Sequence, residues 1–255
     1  MQPKESINDF VIKFANVNGT GSASANGMFA KAIFRMGIPV SPRNIFPSNI
    51  QGLPTWYEVR VSRDGYLGRR GGVDMMISVN PQSFAKDVSE VEPGGYMVYD
   101  TTKPLDLRHV RRDVNYLGIP LTEMCLREYT DSRQRQLFKN VIYVGALAAL
   151  LNIDFAILKD LVREQFKGKE KLITPNIHAL EMGHQYASTH FTCPLGIHLK
   201  AGEQTPKHIE EFDQILMDGN TATALGAVYA GATVAAWYPI TPSTSVVDAF
   251  EKYCR

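Results

Sequence analysis

The chain has 255 residues, of which 44% are apolar and 21% are charged. This composition is typical of one or two globular domains and excludes a mainly disordered protein. Lys and Arg number 27 against 26 Asp and Glu, so the net charge of +1 provides no long-range attraction for a polyanion. We therefore expect neither nucleic acid nor a membrane as a partner.

The sequence also indicates a compartment. Residues 1–9 are polar, unlike a secretory signal, and the longest apolar run, residues 141–151, is shorter than the roughly 20 residues that a transmembrane helix needs. Cys125, Cys193 and Cys254 are widely separated and odd in number, which indicates reduced thiols and offers no ligand set for an iron–sulfur cluster. We expect a cytoplasmic protein.

Strand and helix patterns alternate along the first part of the chain. The apolar periodicity predicts strands at 10–17, 55–62, 73–79, 95–99 and 120–125, and helices at 28–36, 83–90, 133–151, 155–166 and 176–189. This alternation predicts an α/β fold with a Rossmann-like, mostly parallel sheet covered on both faces. We assign this unit to residues 1–192.

A change of composition follows. Residues 193–216 contain several Pro and Gly residues and few large apolar ones, which predicts a linker. In residues 217–255 a second α/β unit begins, with a helix starting near 218–220, a strand at 233–237, a proline-rich loop and a helix ending at Cys254. Because few residues follow that loop, we expect only the beginning of this domain.

The first candidate site is the loop 18–27, which follows the first predicted strand. Backbone N–H groups of such a loop, at the start of a helix, favour a phosphate. Ser24 stands where the dinucleotide fingerprint G-x-G-x-x-G needs its third glycine, and no P-loop motif occurs, so nicotinamide and nucleoside triphosphates are disfavoured. Two interpretations stay open: a tight turn required for helix packing, or contact between a cofactor and Gly19, Gly21 and Ser22.

Two further groups of residues are weaker candidates for a functional site. His184, His190, Cys193 and His198 match no zinc-ligand spacing, so we predict no metal site. Arginines are frequent in two segments, and we interpret them as surface charge, with binding of an anionic cofactor as the alternative. These arginines are Arg60, Arg63, Arg69, Arg70, Arg108, Arg111 and Arg112.

The second candidate site is the proline-rich loop Tyr238-Pro239-Ile240-Thr241-Pro242. Each proline fixes its own φ and pushes the preceding residue into an extended conformation, so the loop loses little entropy on ordering. Thr241 would then cap the following helix, and the free N–H groups of its first turn, from Ser243 onward, would face a carboxylate or an oxyanion. The alternative interpretation is an ordinary proline-capped helix start.

These residues also resemble a known family. The segment GNTATALGAVYAGATVAAWYPITPST resembles the start of the thiamine-pyrimidine domain of 2-oxoacid:ferredoxin oxidoreductases, of the 2-oxoglutarate type whose α subunit carries an N-terminal γ domain. Four earlier segments are similar, in order, to that γ domain: NVNGTGSASANGMFAKAIFRMGIPV, LPTWYEVRVS, VDMMISVNPQSF and NVIYVGALAALLNID. The resemblance covers nearly the whole chain, and YPITPST is its most specific motif.

The resemblance implies a reaction and roles for residues. The reaction is the CoA-dependent oxidative decarboxylation of a 2-oxoacid on thiamine diphosphate, with electrons passed through iron–sulfur clusters to ferredoxin. Domain order suggests 2-oxoglutarate, and pyruvate and branched 2-oxoacids remain open. Thr241 would contact the substrate or the reacting cofactor, Tyr238 and Pro239 would shape the thiazolium side of the pocket, and the γ domain would help enclose CoA.

The resemblance implies partners as well. The family places the segment that binds diphosphate and Mg²⁺, and the cysteines that bind the iron–sulfur cluster, on a β subunit. This implies a dimer of αβ units that passes electrons to ferredoxin. Its thiamine-activating Glu and its substrate-binding Arg have no counterpart within these 255 residues, so we expect this chain alone to be inactive. Two other functions stay open: a stand-alone CoA- or nucleotide-binding module, and a non-catalytic assembly protein.

Overall fold

A computed structural model of the chain describes residues 2–47, 50, 52–202, 215–240 and 243–255. The backbone divides into two units, residues 1–211 and residues 212–255. In the described parts, no helix combines the length and the hydropathy needed to cross a membrane.

The first unit is built on a six-stranded sheet. Its strands appear in the order β3-β4-β2-β5-β6-β7, in which β2, β5, β6 and β7 run parallel, whereas β4 is antiparallel to both of its neighbours. A separate pair joins β1 to β8. The strands are β1 Ser6–Ile7, β2 Asp9–Val17, β3 Val40–Ile45, β4 Pro54–Ser62, β5 Val73–Ser78, β6 Val91–Asp100, β7 Asn115–Ile119 and β8 Ile197–His198. The predicted α/β fold with a mostly parallel sheet is confirmed.

Helices cover both faces of this sheet unequally. The larger core contains Phe10, Ile12 and Phe14 of β2 and the apolar faces of five helices, whereas the smaller core packs Phe84 and Val88 of α2 against the opposite face. Each large apolar side chain that is fully buried stabilises the fold by about 1.5–3 kcal/mol. The helices are α1 Ser22–Arg35, α2 Phe84–Glu90, α3 Leu121–Glu128, α4 Ser132–Leu151, α5 Phe155–Gln165 and α6 Glu170–His190.

The helix α4 is buried on nearly all sides along its second half. It lies between the sheet and α6, where a Cβ atom on Gly145 would overlap the backbone of Leu180 and one on Gly183 would overlap that of Ile142. The two helices therefore approach closely through two glycines. This position explains why residues 141–151 read as a continuous apolar run in the sequence.

The structure of the first unit differs locally from the sequence predictions. The strand predicted at 120–125 is wrong, because Leu121 and Cys125 lie one helical turn apart and are the buried residues of α3. The helix α1 begins at Ser22 rather than 28, and Ser22, Ala25 and Asn26 form the buried side of its first two turns. The edge strand β3 was not predicted, because Pro42 and its polar neighbours hide the pattern and prolines are tolerated at sheet edges.

Part of the predicted linker belongs to the first unit. The N–H groups of Leu195 and Leu199 donate to the carbonyl oxygens of Leu150 and Leu151, at 2.8 and 2.9 Å. Between them lies β8, which pairs with β1. Residues 203–214 lie outside the described residues. The assignment of the two units to a γ domain and a thiamine domain stays a prediction.

The described part of the second unit contains two helices, Gly219–Tyr229 and Thr244–Cys254. The first is capped by Asp218, whose carboxylate accepts from the Thr221 N–H at 2.9 Å. Among the described residues of this unit only Ala224 and Ala249 are buried. The strand predicted at 233–237 is wrong: these residues have no strand to pair with in the described part of the unit, and a strand requires a neighbour.

Candidate functional site

The glycine loop, which we define as residues 18–21, joins the carboxyl end of β2 to α1. Gly19 and Gly21 have φ angles of 85° and 77°, in the left-handed region that favours glycine. A Cβ atom on Gly21 would also overlap the side chain of Leu137 on α4. The first turn of α1 carries no acidic residue and no side-chain cap, so its positive end faces this loop uncompensated.

The topology places this loop at a reversal of the strand order. From β2 the chain proceeds through α1 to β3 and β4 on one side, and from β5 it proceeds through α2 to β6 and β7 on the other. The helices α1 and α2 pack on opposite faces of the sheet. In open α/β sheets, ligands bind outside the carboxyl ends of the strands at such a point. The structure thus brings Gly19, Gly21 and Ser22 together there, and their role in binding stays a prediction.

A buried polar network supports the glycine loop. The Asn26 amide donates to Asn16 Oδ1 at 3.0 Å, and the Tyr143 hydroxyl donates to Asn26 Oδ1 at 2.7 Å. The Asn80 amide, at the end of β5, donates to the Asn16 carbonyl oxygen at 3.2 Å. Burial raises the pKa of Tyr143, so its hydroxyl remains a protonated donor at physiological pH. The end of β2 is therefore fixed before any ligand binds.

Three asparagines in the sequence are the signal for this buried network. Asn16, Asn26 and Asn140 stand at positions where the surrounding periodicity calls for apolar residues, and all three are buried. Asn140 Nδ2 donates to the Thr20 carbonyl oxygen at 2.9 Å, which attaches the glycine loop directly to α4. An asparagine on the apolar face of a helix is costly unless it is hydrogen-bonded, so each of these residues indicated a buried polar partner.

A second buried cluster fixes the turn that follows β5. The carboxylate of Asp87 accepts from the Ser78 and Ser83 hydroxyls at 2.9 and 2.8 Å and from the Trp56 indole N–H at 2.8 Å. Burial raises the pKa of Asp87, whereas these three donors oppose the rise. The cluster attaches α2 to β4 and β5, and so holds residues 79–83 near the end of β2, where Asn80 donates to the Asn16 carbonyl oxygen.

The proline-rich loop lies in the second unit. Tyr238 is 79% exposed, and its carbonyl oxygen accepts from the Ile240 N–H at 2.8 Å and from the Ser243 hydroxyl at 3.1 Å. The Ser243 N–H donates to the Ile240 carbonyl oxygen at 2.8 Å, so the prediction that this N–H is free for an anion is wrong. Thr241 and Pro242 lie outside the described residues. The roles of Tyr238, Pro239 and Thr241 stay predictions.

The remaining sequence candidates have partners within the fold. The His190 ring stacks on Tyr186 with 4.0 Å between centroids, and the His184 ring contacts that of Phe155 in a tilted arrangement at 4.6 Å. No group of three His, Cys, Asp or Glu side chains suited to a metal ion occurs among the residues described. Most of the arginines singled out above form ion pairs with carboxylates, which favours a structural role for them; these are Arg63, Arg69, Arg70, Arg108 and Arg111.

A comparison with known protein families shows to which family this chain belongs. A family model described as pyruvate ferredoxin/flavodoxin oxidoreductase matches residues 11–186, which include the glycine loop and all of the six-stranded sheet except the first two residues of β2. The chain belongs to this family. It is 25% identical to the α subunit of 2-oxoacid:ferredoxin oxidoreductase 2 from Aeropyrum pernix, over 96% of this chain and 43% of that protein. The resemblance to 2-oxoacid:ferredoxin oxidoreductases is confirmed.

Solved structures of the family agree. The 2-oxoglutarate:ferredoxin oxidoreductase from Magnetococcus marinus, solved with 2-oxoglutarate, coenzyme A and succinyl-CoA, is similar with a TM-score of 0.78 and 26% identity, over 97% of this chain and 41% of that one. The γ subunit of a keto/oxoacid ferredoxin oxidoreductase from Geobacter sulfurreducens shares the fold over 71% of this chain and 99% of its own, with a TM-score of 0.56 and 18% identity. This chain thus spans less than half the length of the α subunit from Aeropyrum pernix and of the structure from Magnetococcus marinus.

Proposed function

We propose that this chain forms part of the α subunit of a 2-oxoacid:ferredoxin oxidoreductase. In this proposal residues 1–192 are the γ-type domain, residues 193–216 the linker, and residues 217–255 the beginning of the thiamine-pyrimidine domain. The observation that carries the proposal is the similarity to one oxidoreductase structure over 97% of the chain, across both units. Two unrelated units would not match one protein in the same order.

The proposed reaction is the oxidative decarboxylation of a 2-oxoacid to an acyl-CoA. The bond between the carboxyl and carbonyl carbons breaks, carbon dioxide leaves, and the acyl group is transferred to the CoA sulfur, whose proton is released. The two electrons left over would pass one at a time to ferredoxin. We propose 2-oxoglutarate as the acid, because the similar structure from Magnetococcus marinus contains 2-oxoglutarate and succinyl-CoA.

The glycine loop is our proposed contact with CoA. CoA carries phosphate groups, and the uncapped positive end of α1 beside Gly19, Gly21 and Ser22 suits an anion. The buried network below the loop supports this role, since a site that is ordered in advance loses less entropy when a ligand binds.

Thiamine diphosphate is the proposed cofactor of the second unit. Trp237 and Tyr238 expose aromatic surface there, which suits the apolar face of the cofactor ring. The Ser243 hydroxyl is the nearby polar group. When bound, the cofactor would stabilise the negative charge left on the carbonyl carbon after carbon dioxide departs. Tyr238 and Pro239 would orient the ring, and Thr241 would hydrogen-bond the reacting atoms.

The remaining parts of the proposal concern partners and compartment. A β subunit would supply the diphosphate and Mg²⁺ site and the iron–sulfur cluster, and the assembly would be a dimer of αβ units that reduces ferredoxin. A cytoplasmic location suits three cysteines that are all free thiols, namely Cys125, Cys193 and Cys254.

A second function has an observation of its own. The first unit shares its fold with a γ subunit that is a separate polypeptide in Geobacter sulfurreducens. A stand-alone CoA- or nucleotide-binding module is therefore the alternative. Calorimetry with CoA, NAD and NADP distinguishes the two, because binding of NAD alone favours the module.

A native mass spectrum of the complex isolated through this chain from its source cells tests the proposal. We expect a second, smaller subunit that carries an iron–sulfur cluster. Isolation of this chain alone, with no partner at any salt concentration used, would overturn the proposal and favour the binding module.

A further inference from the structure

A surface pocket of about 420 Å³ lies between α3 and α4. Its wall contains three cationic side chains, two hydroxyls and a thiol, namely Arg133, Arg135, Lys139, Thr122, Ser132 and Cys125. None of its lining residues belongs to the glycine loop or to the second unit. The family relationship and the proposed roles above leave this pocket without a function.

The three cations of the pocket have no ion-pair partner. Arg133, Arg135 and Lys139 form no ion pair within 4 Å across the described residues, whereas Arg127 on the neighbouring helix α3 pairs with Glu123. The nearby carboxylates of Asp100 and Asp131 accept from Thr122 and Gln134 and keep their negative charge. The lining of the pocket itself, however, contains three positive charges and no carboxylate.

The orientation of the cations suits an oxyanion. The Nε–H of Arg135 donates to the Tyr129 carbonyl oxygen at 2.6 Å, which fixes the guanidinium and leaves its terminal N–H groups for a ligand. Ser132 and Arg133 are the first residues of α4, whose N-terminus is already capped by the Asp131 carboxylate, so the side-chain cations rather than the helix dipole would attract the ligand. Arginine also binds phosphate oxygens in a bidentate manner.

We propose that this pocket binds a phosphate group. The ligand class is a multiply charged phosphate oxyanion, either free or as part of a nucleotide, held by Arg133, Arg135 and Lys139 with help from the Ser132 hydroxyl. The proposal does not depend on the oxidoreductase function, since it rests on the charges and cavity of the first unit alone.

Isothermal titration calorimetry of the full chain with inorganic pyrophosphate, at constant ionic strength, tests the proposal. We expect saturable binding that weakens about tenfold or more in Arg133→Gln/Lys139→Gln, because each hydrogen bond to a charged group is lost. The matched control is Arg163→Gln, an exposed arginine of α5 whose partner is Asp160, and it should bind within about twofold of the wild type. Unchanged unfolding midpoints would show that the variants fold.

Two further titrations identify the source of the phosphate. Adenosine 3′,5′-bisphosphate that binds more tightly than pyrophosphate indicates a nucleotide, and equal affinities indicate a free phosphate; both results support the proposal. Absence of saturable binding to pyrophosphate, or equal affinity in the wild type and the double variant, overturns it. Binding of polyglutamate in place of pyrophosphate overturns it as well and indicates a protein partner.

Discussion

The Tyr143 hydroxyl and Asn26 Oδ1 are joined by a hydrogen bond of 2.7 Å that connects α4 to α1 beneath the glycine loop. Both residues are almost completely buried, and the Asn26 amide donates in turn to Asn16 at the end of β2. In a low-dielectric interior such a satisfied network is rigid, and leaving one member unpaired is costly. The conformation of the loop therefore depends on side chains far apart in the sequence.

The variant Tyr143→Phe should lower the free energy of unfolding by about 1–2 kcal/mol, since Asn26 loses a buried donor while the ring still fills its site. Urea unfolding measures the change. The control is Tyr66→Phe, because Tyr66 is 65% exposed and should change stability by less than about 0.5 kcal/mol. Equal stability of the two variants would show that the buried bond contributes nothing.

The variant Gly21→Ala should destabilise the first unit by about 1–3 kcal/mol, because alanine strains at positive φ and its Cβ overlaps Leu137. The control is Gly27→Ala within α1, where a Cβ meets no atom within 4 Å and alanine should stabilise the helix by about 0.5–1 kcal/mol. Adding Leu137→Ala to Gly21→Ala should recover only the part of the lost stability that comes from the overlap with the Leu137 side chain. Chemical denaturation of the three variants checks this, and a neutral Gly21→Ala contradicts the described loop geometry.

His184 should make stability depend on pH. Burial, with a smaller contribution from Lys159, lowers the pKa of His184 below its usual 6.5. The unfolded chain therefore binds more protons than the folded chain just below that value, so the free energy of unfolding should fall as the pH decreases through it. Unfolding measured at about pH 7.5 and about pH 5.5 should show a smaller difference for His184→Gln than for the wild type. An identical difference in both proteins would show that His184 is not the group responsible.

The variant Thr241→Ala should reduce turnover of the assembled complex by about tenfold or more, because our proposal gives its hydroxyl a hydrogen bond to the reacting atoms. The control is Thr223→Ala, which removes an exposed hydroxyl that bonds only to the Gly219 carbonyl oxygen of its own helix. Steady-state kinetics with saturating 2-oxoacid and CoA gives the turnover of both variants, and only Thr241→Ala should be slow. A rate that is unchanged in Thr241→Ala would refute the role proposed for it.

Local signals made much of the fold predictable. The strands β2, β4 and β5 are rich in β-branched and aromatic residues, and the glycine loop follows β2 directly, so both could be predicted from short stretches of sequence. The edge strand β3 could not, since its identity as a strand depends on pairing with β4. Conversely, residues 233–237 have the composition of a strand and no strand to pair with in the described part of their unit.

The candidate site was less predictable than the fold. Asn26 and Tyr143 are separated by 117 positions in the sequence, and the Asn140 amide and the Thr20 carbonyl oxygen by 120, so no local pattern connects them. The cationic pocket depends on the packing of α3 against the start of α4, which the erroneous strand prediction at 120–125 concealed. Periodicity identifies which residues are buried, whereas the partners of buried polar groups depend on the tertiary structure.

The rate of ferredoxin reduction by the complex isolated through this chain tests the proposed reaction. We expect that reduction requires both a 2-oxoacid and CoA, that it yields the acyl-CoA, and that 2-oxoglutarate is a better substrate than pyruvate. The proposed reaction is wrong if a complex that contains its partner subunit and iron–sulfur cluster reduces no ferredoxin with any 2-oxoacid, or does so equally well without CoA.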